Sequence, residues 1–347
     1  MTFQILSLSG GGYRGLYTIE VLHRLEQRAG RPIGQCFDLI AGTSIGGVIA
    51  IGLAMGKSAE AIRTEFLAHG DEIFPQGVRF LGPMAAFVRN FFVAMDRAEP
   101  LRRTVANIVG EGTLIGEART RLLVPTVNVT VGRLQIFKTP HHPTLTEDQH
   151  RNAVDVAMAT SAAPPFFPLA RIGESYFADG GLAANSPDAC AIHEAIHFAG
   201  QDMGNLRLLS VGTTSTSYGM PTSLGSNWGL IRWLWKYRLI NVAFGVQQQL
   251  VDFTTRHDLR DRYLRIDAKP SPEHGADIGL DIAIPGRREI LQSLAEESFR
   301  EIAAHPMVTE ILAHRPLPIE FPPRPVGPEL DLICRGRARD TTERIRP

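Results

Sequence analysis

Cysteine is scarce in this chain of 347 residues, and its few copies lie far apart. The three cysteines are Cys36, Cys190 and Cys334, and no two of them form a C-x-x-C pair. Their odd number and wide spacing argue against a disulfide framework and against a cysteine-ligated zinc site. We therefore expect reduced thiols, as in a cytoplasmic protein.

Long apolar runs and an excess of charge of one sign are also missing. No apolar run reaches the ~18 residues that a membrane-spanning helix needs, and the first residues lack the basic and apolar segments of a signal peptide. Lys plus Arg and Asp plus Glu both number 36. This balance provides no overall field that favours a nucleic acid polymer. We expect a soluble protein that at most touches a membrane.

Two units of strand, glycine turn and helix open the chain. Residues 3–8 are a predicted strand that runs into the glycines at 10–12. Residues 37–41 are a second predicted strand, followed by a glycine-rich turn at 42–47 and an apolar helix through Met55. Two such units in succession predict an α/β fold with a mostly parallel sheet.

Later segments continue this pattern with less regularity. They are a helix at 13–29, strands at 122–129 and 134–137 joined near Gly132 and Arg133, a helix at 151–160, an apolar segment at 176–178 and a strand at 206–212. The strand at 206–212 is the last clear one in the sequence. After it the composition shifts to Ser, Thr and Gly.

No internal repeat or linker divides the chain, so we expect one domain over residues 1–314 with a motif-bearing core at 1–212. Residues 226–265 contain all three tryptophans among basic residues. This segment predicts a helical lid or regulatory element, a membrane-interface helix or a nucleotide site; a buried helix or a dimer interface explains it as well. Residues 315–347, rich in Pro and Arg, predict a peripheral tail.

A serine lies at the centre of the second glycine turn. Residues Gly42, Ser44 and Gly46 fit the pattern G-x-S-x-G between a predicted strand and a predicted helix. In that context the serine lies on a sharp turn that exposes its hydroxyl, and the glycines make room for the turn. Ser44 is therefore a candidate nucleophile; an ordinary tight turn is the alternative.

A serine nucleophile needs a base, and Asp179 is the best candidate. None of the eleven histidines lies in a convincing late strand–loop context. Asp179 follows an apolar segment and precedes Gly180 and Gly181, as a carboxylate held at a strand end does. Such a carboxylate can take the serine proton or orient the group that takes it. Asp-Gly is also a common turn dipeptide.

The first glycine turn is suited to stabilise an oxyanion. Gly10, Gly11, Gly12 and Gly15 lie at a strand–helix junction, where backbone N–H groups can converge, and Arg14 adds positive charge. The loop lacks the Gly-Lys-Ser/Thr ending of a P-loop, which excludes that class. It also fits G-x-G-x-x-G, so a dinucleotide site is an alternative.

Together, the G-G-G-x-R-G loop, the G-x-S-x-G turn and the D-G-G motif resemble the patatin-like phospholipases. The resemblance covers residues 1–212. It implies a three-layer α/β/α fold with a mostly parallel central sheet, and a phospholipase that needs neither a metal nor an organic cofactor. It also implies a serine–aspartate dyad of Ser44 and Asp179, and an oxyanion hole formed by Gly11, Gly12 and their neighbours.

A finer resemblance is to the bacterial patatin-like effectors of cyclic-nucleotide antiviral systems. It is carried by "VPTVNVTVGRLQIFKTPHHP" at residues 124–143 and by the compact length. It implies activation by a cyclic dinucleotide and degradation of the host cell's own phospholipid, with the active protein peripheral at the inner membrane. The sequence does not determine the oligomeric state, and a homo-oligomer stays open.

Two other functions are compatible with the sequence. The first is a lipid or nucleotide sensor that retains the fold without turnover; the intact Ser44 and Asp179 argue against it. The second is a zinc hydrolase, because His193 and His197 form H-E-x-x-H on a predicted helix. No motif supplies the third ligand that zinc needs, and a solvated helix face explains both histidines. In the Pro-bounded loop, Lys138, His141 and His142 either face a ligand or belong to a surface turn.

Overall fold

The computed structural model describes residues 2–74, 98–164, 166–214, 226, 233, 238–269, 285–316, 319 and 321. Within these residues, eight strands form one sheet. They are β1 Phe3–Leu8, β2 Leu39–Gly42, β3 Arg121–Asn128, β4 Arg133–Lys138, β5 Ala170–Ile172, β6 Ser175–Asp179, β7 Leu206–Val211 and β8 Tyr263–Ile266.

The α-helices of the described residues flank this sheet. They are α1 Gly15–Ala29, α2 Ile45–Ala54, α3 Ala59–Ile73, α4 Ala98–Val109, α5 Ala153–Thr160, α6 Gly181–Ala184, α7 Asp188–His197, α8 Arg238–Leu259, α9 Pro285–Ala303 and α10 Pro306–Ala313. None of them is long and apolar enough to cross a membrane.

The sheet is mixed but mostly parallel, as the sequence predicts. Its order is β5-β6-β3-β2-β1-β7-β8, with β4 also paired to β3. Strands β1, β2, β3, β7 and β8 run parallel, whereas β4, β5 and β6 pair antiparallel. Because β1 and β2 run in the same direction, their glycine-rich turns meet at one edge of the sheet.

Alternate residues of the central strands point to opposite faces, and each face is buried. On β1, Leu6 and Leu8 belong to a core cluster that also contains residues of α1, α2 and α3. Phe3 and Ile5 belong to a second cluster on the other face, together with Ala191 of α7. Helices on both faces of one sheet confirm the three-layer α/β/α prediction.

One irregularity of the sheet brings distant residues together. Strand β4 pairs with β3 from Leu123 to Asn128. The other edge of β3 is therefore shared by β2, which pairs with residues 121–123, and β6, which pairs with residues 126–128. Strands β2 and β6 run in opposite directions along this shared edge. The carboxyl ends of the two strands consequently point at each other.

The sequence shows no clear strand after residues 206–212, but in the structure β8 follows and pairs parallel to β7. The strand is only four residues long and carries Arg265, whose charge interrupts an apolar pattern. Arg265 is nonetheless buried, with its guanidinium 2.6 Å from an Asp267 carboxylate oxygen. A local pattern does not reveal such pairing, because it depends on the position of a neighbour in space.

The structure describes only part of two segments that the sequence predicts. Within the predicted helical segment at 226–265, the structure describes residues 226 and 233 and residues 238–265. Residues 238–265 form α8, a single turn of 3₁₀ helix and β8 up to residue 265. Trp228 and Trp235 lie outside the described residues. The predicted tail at 315–347 also lies outside them, except for residues 315, 316, 319 and 321.

Candidate active site

Ser44 lies on a sharp turn between β2 and α2. Its backbone has φ 56° and ψ −128°, which is in the left-handed half of φ space that non-glycine residues seldom adopt. A Cβ atom at Gly42 would collide with the carbonyl oxygen of Gly46, and one at Gly46 would collide with that of Leu8. The two glycines are therefore required by the close packing of the turn, as the G-x-S-x-G pattern predicts.

The hydroxyl of Ser44 donates a hydrogen bond to Asp179, 135 residues away in sequence. The distance between Ser44 Oγ and Asp179 Oδ2 is 2.6 Å. The other carboxylate oxygen accepts a bond of 2.6 Å from the N–H of Gly181. Asp179 is only 3% exposed. The serine and the carboxylate predicted from separate motifs thus form one hydrogen-bonded pair.

Burial gives this carboxylate unusual basicity. Desolvation raises the pKa of Asp179 to about 6, because the charged form loses its hydration; the hydrogen bonds from Ser44 and Gly181 act in the opposite direction. A carboxylate with a pKa near 6 is ionised at neutral pH and binds a proton more readily than an exposed one. It is therefore suited to act as a general base.

The D-G-G motif is required by the approach of β6 to β3. Asp179 is the last residue of β6 and pairs with Thr126. A Cβ atom at Gly180 would collide with the carbonyl oxygen of Pro125. At Gly181, a Cβ atom would lie 3.0 Å from Asp179 Oδ1. Small residues thus allow the chain to turn while a backbone N–H reaches the carboxylate.

The glycine loop offers fewer free donors than its sequence suggests. The N–H of Gly10 donates to the carbonyl oxygen of Asn185 at 2.9 Å, and that of Gly15 donates to the carbonyl oxygen of Gly12. The described residues supply no acceptor for the N–H groups of Gly11 and Gly12. Of the predicted oxyanion-hole residues, Gly11 and Gly12 are therefore the two glycines with N–H groups available to a ligand.

Arg14 braces the loop through its carbonyl groups. Its side chain is 7% exposed. It donates to the carbonyl oxygen of Thr214 at 3.1 Å and, more weakly, to that of Gly11 at 3.4 Å. Arg14 thus holds the loop, and its contribution of charge beside an oxyanion stays a prediction.

Two threonines that the sequence analysis did not single out as site residues hold the turns in place. Thr160 Oγ1 accepts a bond of 3.0 Å from the N–H of Ser44 and donates to the carbonyl oxygen of Pro125 at 2.6 Å. Thr213 Oγ1 donates to the carbonyl oxygen of Gly10 at 2.9 Å. Both are buried. A threonine at a strand or helix end is too common to have identified either of them.

A clamp from α8 holds the segment after Asp-Gly-Gly. Gln247 accepts a bond of 2.7 Å from the N–H of Asn185 and donates one of 2.8 Å to the carbonyl oxygen of Ala183. Asn185 in turn accepts the N–H of Gly10. Helix α8 is thereby connected to both the glycine loop and the Asp-Gly-Gly turn. Gln247 lies on a long helix without any motif, so the sequence contains no signal for it.

The H-E-x-x-H segment has a different role from the one a zinc site requires. His193 and His197 lie on the exposed face of α7, with their ring centroids 4.4 Å apart and the ring planes tilted by 41°. Glu194 is buried, with carboxylate oxygens 2.5 Å from Lys138 Nζ and 3.0 Å from His141 Nε2. Burial raises the pKa of Glu194, but the bonds from His141 and Lys138 outweigh it and leave that pKa below its usual value. Lys138 and His141 thus pair with Glu194.

Among the described residues, no three His, Cys, Asp or Glu side chains lie close enough together to hold a metal ion. The paired Glu194 also differs from the free carboxylate that acts as the general base in H-E-x-x-H proteases. The geometry therefore does not support the zinc hydrolase alternative.

Comparisons with known proteins agree with this geometry. The family model described as patatin-like phospholipase matches residues 6–189. A cGAMP-activated phospholipase of Pseudomonas aeruginosa is 37% identical over 316 residues, covering 90% of this chain and 93% of its own. A cGAMP-activated phospholipase of Vibrio cholerae is also 37% identical, over 85% of this chain and 91% of its own.

Among solved structures, VipD from Legionella pneumophila aligns with 86% of this chain and 67% of its own, at a TM-score of 0.42 and 13% identity. This similarity is too distant to add to the assignment. The family model, by contrast, spans more than half of the chain and includes Ser44 and Asp179, and the two curated relatives extend over most of it. The chain belongs to the patatin-like phospholipase family.

Proposed function

We propose that this protein hydrolyses the ester bonds of phospholipids, with Ser44 as nucleophile and Asp179 as general base. The proposal is carried by one observation, the 2.6 Å hydrogen bond from Ser44 Oγ to the buried Asp179 carboxylate. The raised pKa of that carboxylate, about 6, gives it the basicity that the reaction needs. Such a reaction requires neither a metal nor an organic cofactor.

Each step of the reaction has a group to perform it. Ser44 Oγ attacks the ester carbonyl carbon while its proton passes to Asp179 Oδ2. The carbonyl oxygen becomes an oxyanion that accepts hydrogen bonds from the N–H groups of Gly11 and Gly12. When the intermediate collapses, the leaving alcohol takes the proton from Asp179. Water then attacks the acyl-serine while Asp179 accepts its proton, and Asp179 returns that proton to Ser44 Oγ as the fatty acid leaves.

Burial of the dyad favours this proton transfer. A charged carboxylate in a low-dielectric site is costly, and accepting the serine proton neutralises it. The negative charge moves to the substrate oxygen, where fixed backbone N–H groups compensate it without rearrangement. The hydrogen bonds that hold Gly10 and Ser44 keep the two halves of the site in register.

We extend the proposal to activation by a cyclic dinucleotide. The two bacterial relatives at 37% identity are named cGAMP-activated phospholipases, and the similarity extends well beyond the Ser44 and Asp179 motifs. An enzyme that acts on the membrane of its own cell needs such control. We propose that it is cytoplasmic, binds the inner membrane peripherally when active, and functions in antiviral defence.

We also propose that residues 1–314 form one domain. Leu291 of α9 and Ile311 of α10 belong to the same core cluster as Leu6 of β1. The last described helices thus complete the layer that covers the active-site sheet.

The test is release of fatty acid from phosphatidylethanolamine–phosphatidylglycerol vesicles, with and without cGAMP, for the wild type and for Ser44→Ala. We expect release that requires both Ser44 and cGAMP. Release that requires Ser44 but no nucleotide would support the hydrolase mechanism and reject activation by a cyclic dinucleotide. Release by Ser44→Ala at the wild-type rate would reject the hydrolase mechanism, and binding of lipid or cGAMP without any release would favour the sensor alternative.

Gly11→Ala tests the oxyanion loop. The new Cβ atom would lie 2.5 Å from the Cβ atom of Thr213, so the loop must shift and the Gly11 N–H must move with it. We expect kcat/KM to fall about 10²- to 10³-fold, as when an oxyanion donor is lost. Gly204→Ala is the matched control, because nothing lies within 4 Å of its added Cβ atom. Equal activities of the two variants would refute the loop assignment.

A further inference from the structure

The outer face of α8 carries an apolar seam, which we name the α8 seam. Its members recur at alternating spacings of four and three residues, and all are exposed. They are Leu239, Ala243, Val246, Leu250, Phe253 and His257. The four large apolar side chains are 49% to 62% exposed. Single exposed apolar residues are ordinary, but four along one line of a helix are not.

The seam is distinct from the face that α8 uses within the chain. Thr255 and Leu259 are buried, at 1% and 0% exposure. Phe244, Gln248 and Val251 lie on the same side of the helix as these residues and are partly buried. The seam lies on the opposite side, because residues 3.6 positions apart share a helix face. Within the described residues, α8 thus has an inner face that packs on the protein and an outer apolar line that packs on nothing.

The spacing identifies the kind of surface that fits the seam. Alternating steps of four and three are the a and d positions of a heptad repeat, and α8 maintains them from residue 239 to residue 257. A helix that packs on a globular core shows a wider apolar face, and a strict a/d line is the narrower seam of a helix pair. The seam therefore matches another helix better than it matches a flat surface.

The charges beside the seam argue against an anionic lipid surface. The flanking residues Gln249 and Thr254 are uncharged. Arg256 is engaged by Asp252, with 3.0 Å between its Nη2 and the carboxylate. A helix that lies on an anionic membrane carries Lys and Arg along its polar flank. The described flanks of α8 offer no such row, and the exposed Asp258 near the end of the helix is acidic.

We propose that α8 pairs with α8 of a second copy of this chain through the α8 seam. An identical helix supplies the matching apolar line, and a two-fold axis makes the contact self-complementary. Four half-exposed side chains present a few hundred Å², less than the ~800 Å² per partner of a standard interface. The pairing is therefore reversible and depends on concentration.

Pairing also bears on the active site. The same helix holds Ala183 and Asn185 through Gln247 on its flank. Fixing α8 against a second helix thus immobilises the element that holds the Asp-Gly-Gly turn. This places the contact where it can influence hydrolysis without any seam residue touching the substrate.

The test is sedimentation velocity from low to high micromolar protein, with and without cGAMP. We expect the wild type to form dimers as concentration rises, and Leu250→Asp and Phe253→Asp to stay monomeric. Val131→Asp is the matched control, because Val131 is 57% exposed on the β3–β4 turn; it should dimerise like the wild type. Thermal unfolding verifies that each variant is folded, and hydrolysis of a short soluble ester by the wild type reports separately on the active site.

Three outcomes would overturn the proposal. The first is a wild type that stays monomeric at every concentration with and without cGAMP. The second is a dimer that survives both seam substitutions, or one that Val131→Asp also abolishes. The third is a loss of vesicle binding in Leu250→Asp and Phe253→Asp with the oligomeric state unchanged, which would assign the seam to the membrane. Because soluble-ester hydrolysis is measured separately, failure of the pairing is distinguishable from failure of the proposed function.

Discussion

Replacing Ser44 by alanine is expected to lower kcat for phospholipid hydrolysis by about 10⁵-fold or more, to the detection limit. The substitution removes the atom that attacks the carbonyl and leaves Asp179 without the hydroxyl whose proton it accepts. Binding of vesicles and of cGAMP should persist, since neither needs the hydroxyl. The measurement is fatty acid release under saturating lipid, and a variant that retains more than a few per cent of wild-type kcat would contradict the nucleophile assignment.

Ser44→Gly serves as a second variant that separates chemistry from backbone strain. It should be as inactive as Ser44→Ala, but φ 56° is a conformation that glycine adopts without a steric penalty. Strain of this kind costs on the order of 1–3 kcal/mol. Glycine avoids that cost, but part of the stability gained is lost again because glycine makes the unfolded state more flexible. We expect Ser44→Gly to exceed Ser44→Ala by about 1 kcal/mol in free energy of unfolding, measured by urea titration. A less stable glycine variant would mean that the turn is not strained.

Asp179→Asn is expected to lower kcat by about 10⁴-fold, because an amide cannot accept the serine proton. Asn is close in shape to Asp and retains an oxygen for the N–H of Gly181, so the turn should survive. Asp148→Asn is the matched control. Burial also raises the pKa of Asp148 to about 6, but its carboxylate accepts a bond from the backbone N–H of Lys138 at 3.0 Å and has no role at Ser44. Loss of activity in both variants would point to a general effect of charge removal.

The pH dependence follows from the same pKa. The base must be ionised, so kcat/KM of the wild type should rise tenfold per pH unit below about 6 and level off above it. The effect on stability has the opposite direction. The pKa of Asp179 in the folded protein lies above its ordinary value of 3.8. The contribution of Asp179 to the free energy of unfolding is therefore full below pH 3.8 and is lost as pH rises through about 6.

Removing the charge should therefore stabilise the protein in alkaline buffer. Each pKa unit corresponds to about 1.4 kcal/mol, so Asp179→Asn should gain up to roughly 3 kcal/mol in free energy of unfolding at pH 8. The gain should vanish near pH 4. An activity profile centred well away from pH 6, or an asparagine variant that is less stable at pH 8, would contradict the buried-base interpretation.

Local chemistry was sufficient to predict several parts of this site. The turn at Ser44 and the close packing of Gly42 and Gly46 depend on residues within a few positions of one another. The alternation of strand, glycine and helix predicts the parallel centre of the sheet for the same reason, since each unit folds from its own apolar pattern. Family membership also follows from such short motifs. The motif at Asp179 was recognisable, although Asp-Gly alone did not distinguish a base from a turn.

Other features depended on positions that only the folded chain defines. The end-to-end placement of β2 and β6 along β3 brings Ser44 to Asp179, and it results from strand pairing between segments far apart in sequence. Which glycine N–H groups stay free depends on Asn185, which lies 175 residues after Gly10. Gln247 and β8 lacked a sequence signal because their partners are tertiary. Short-range sterics thus determine which residue types the site needs, whereas long-range pairing determines which of them meet.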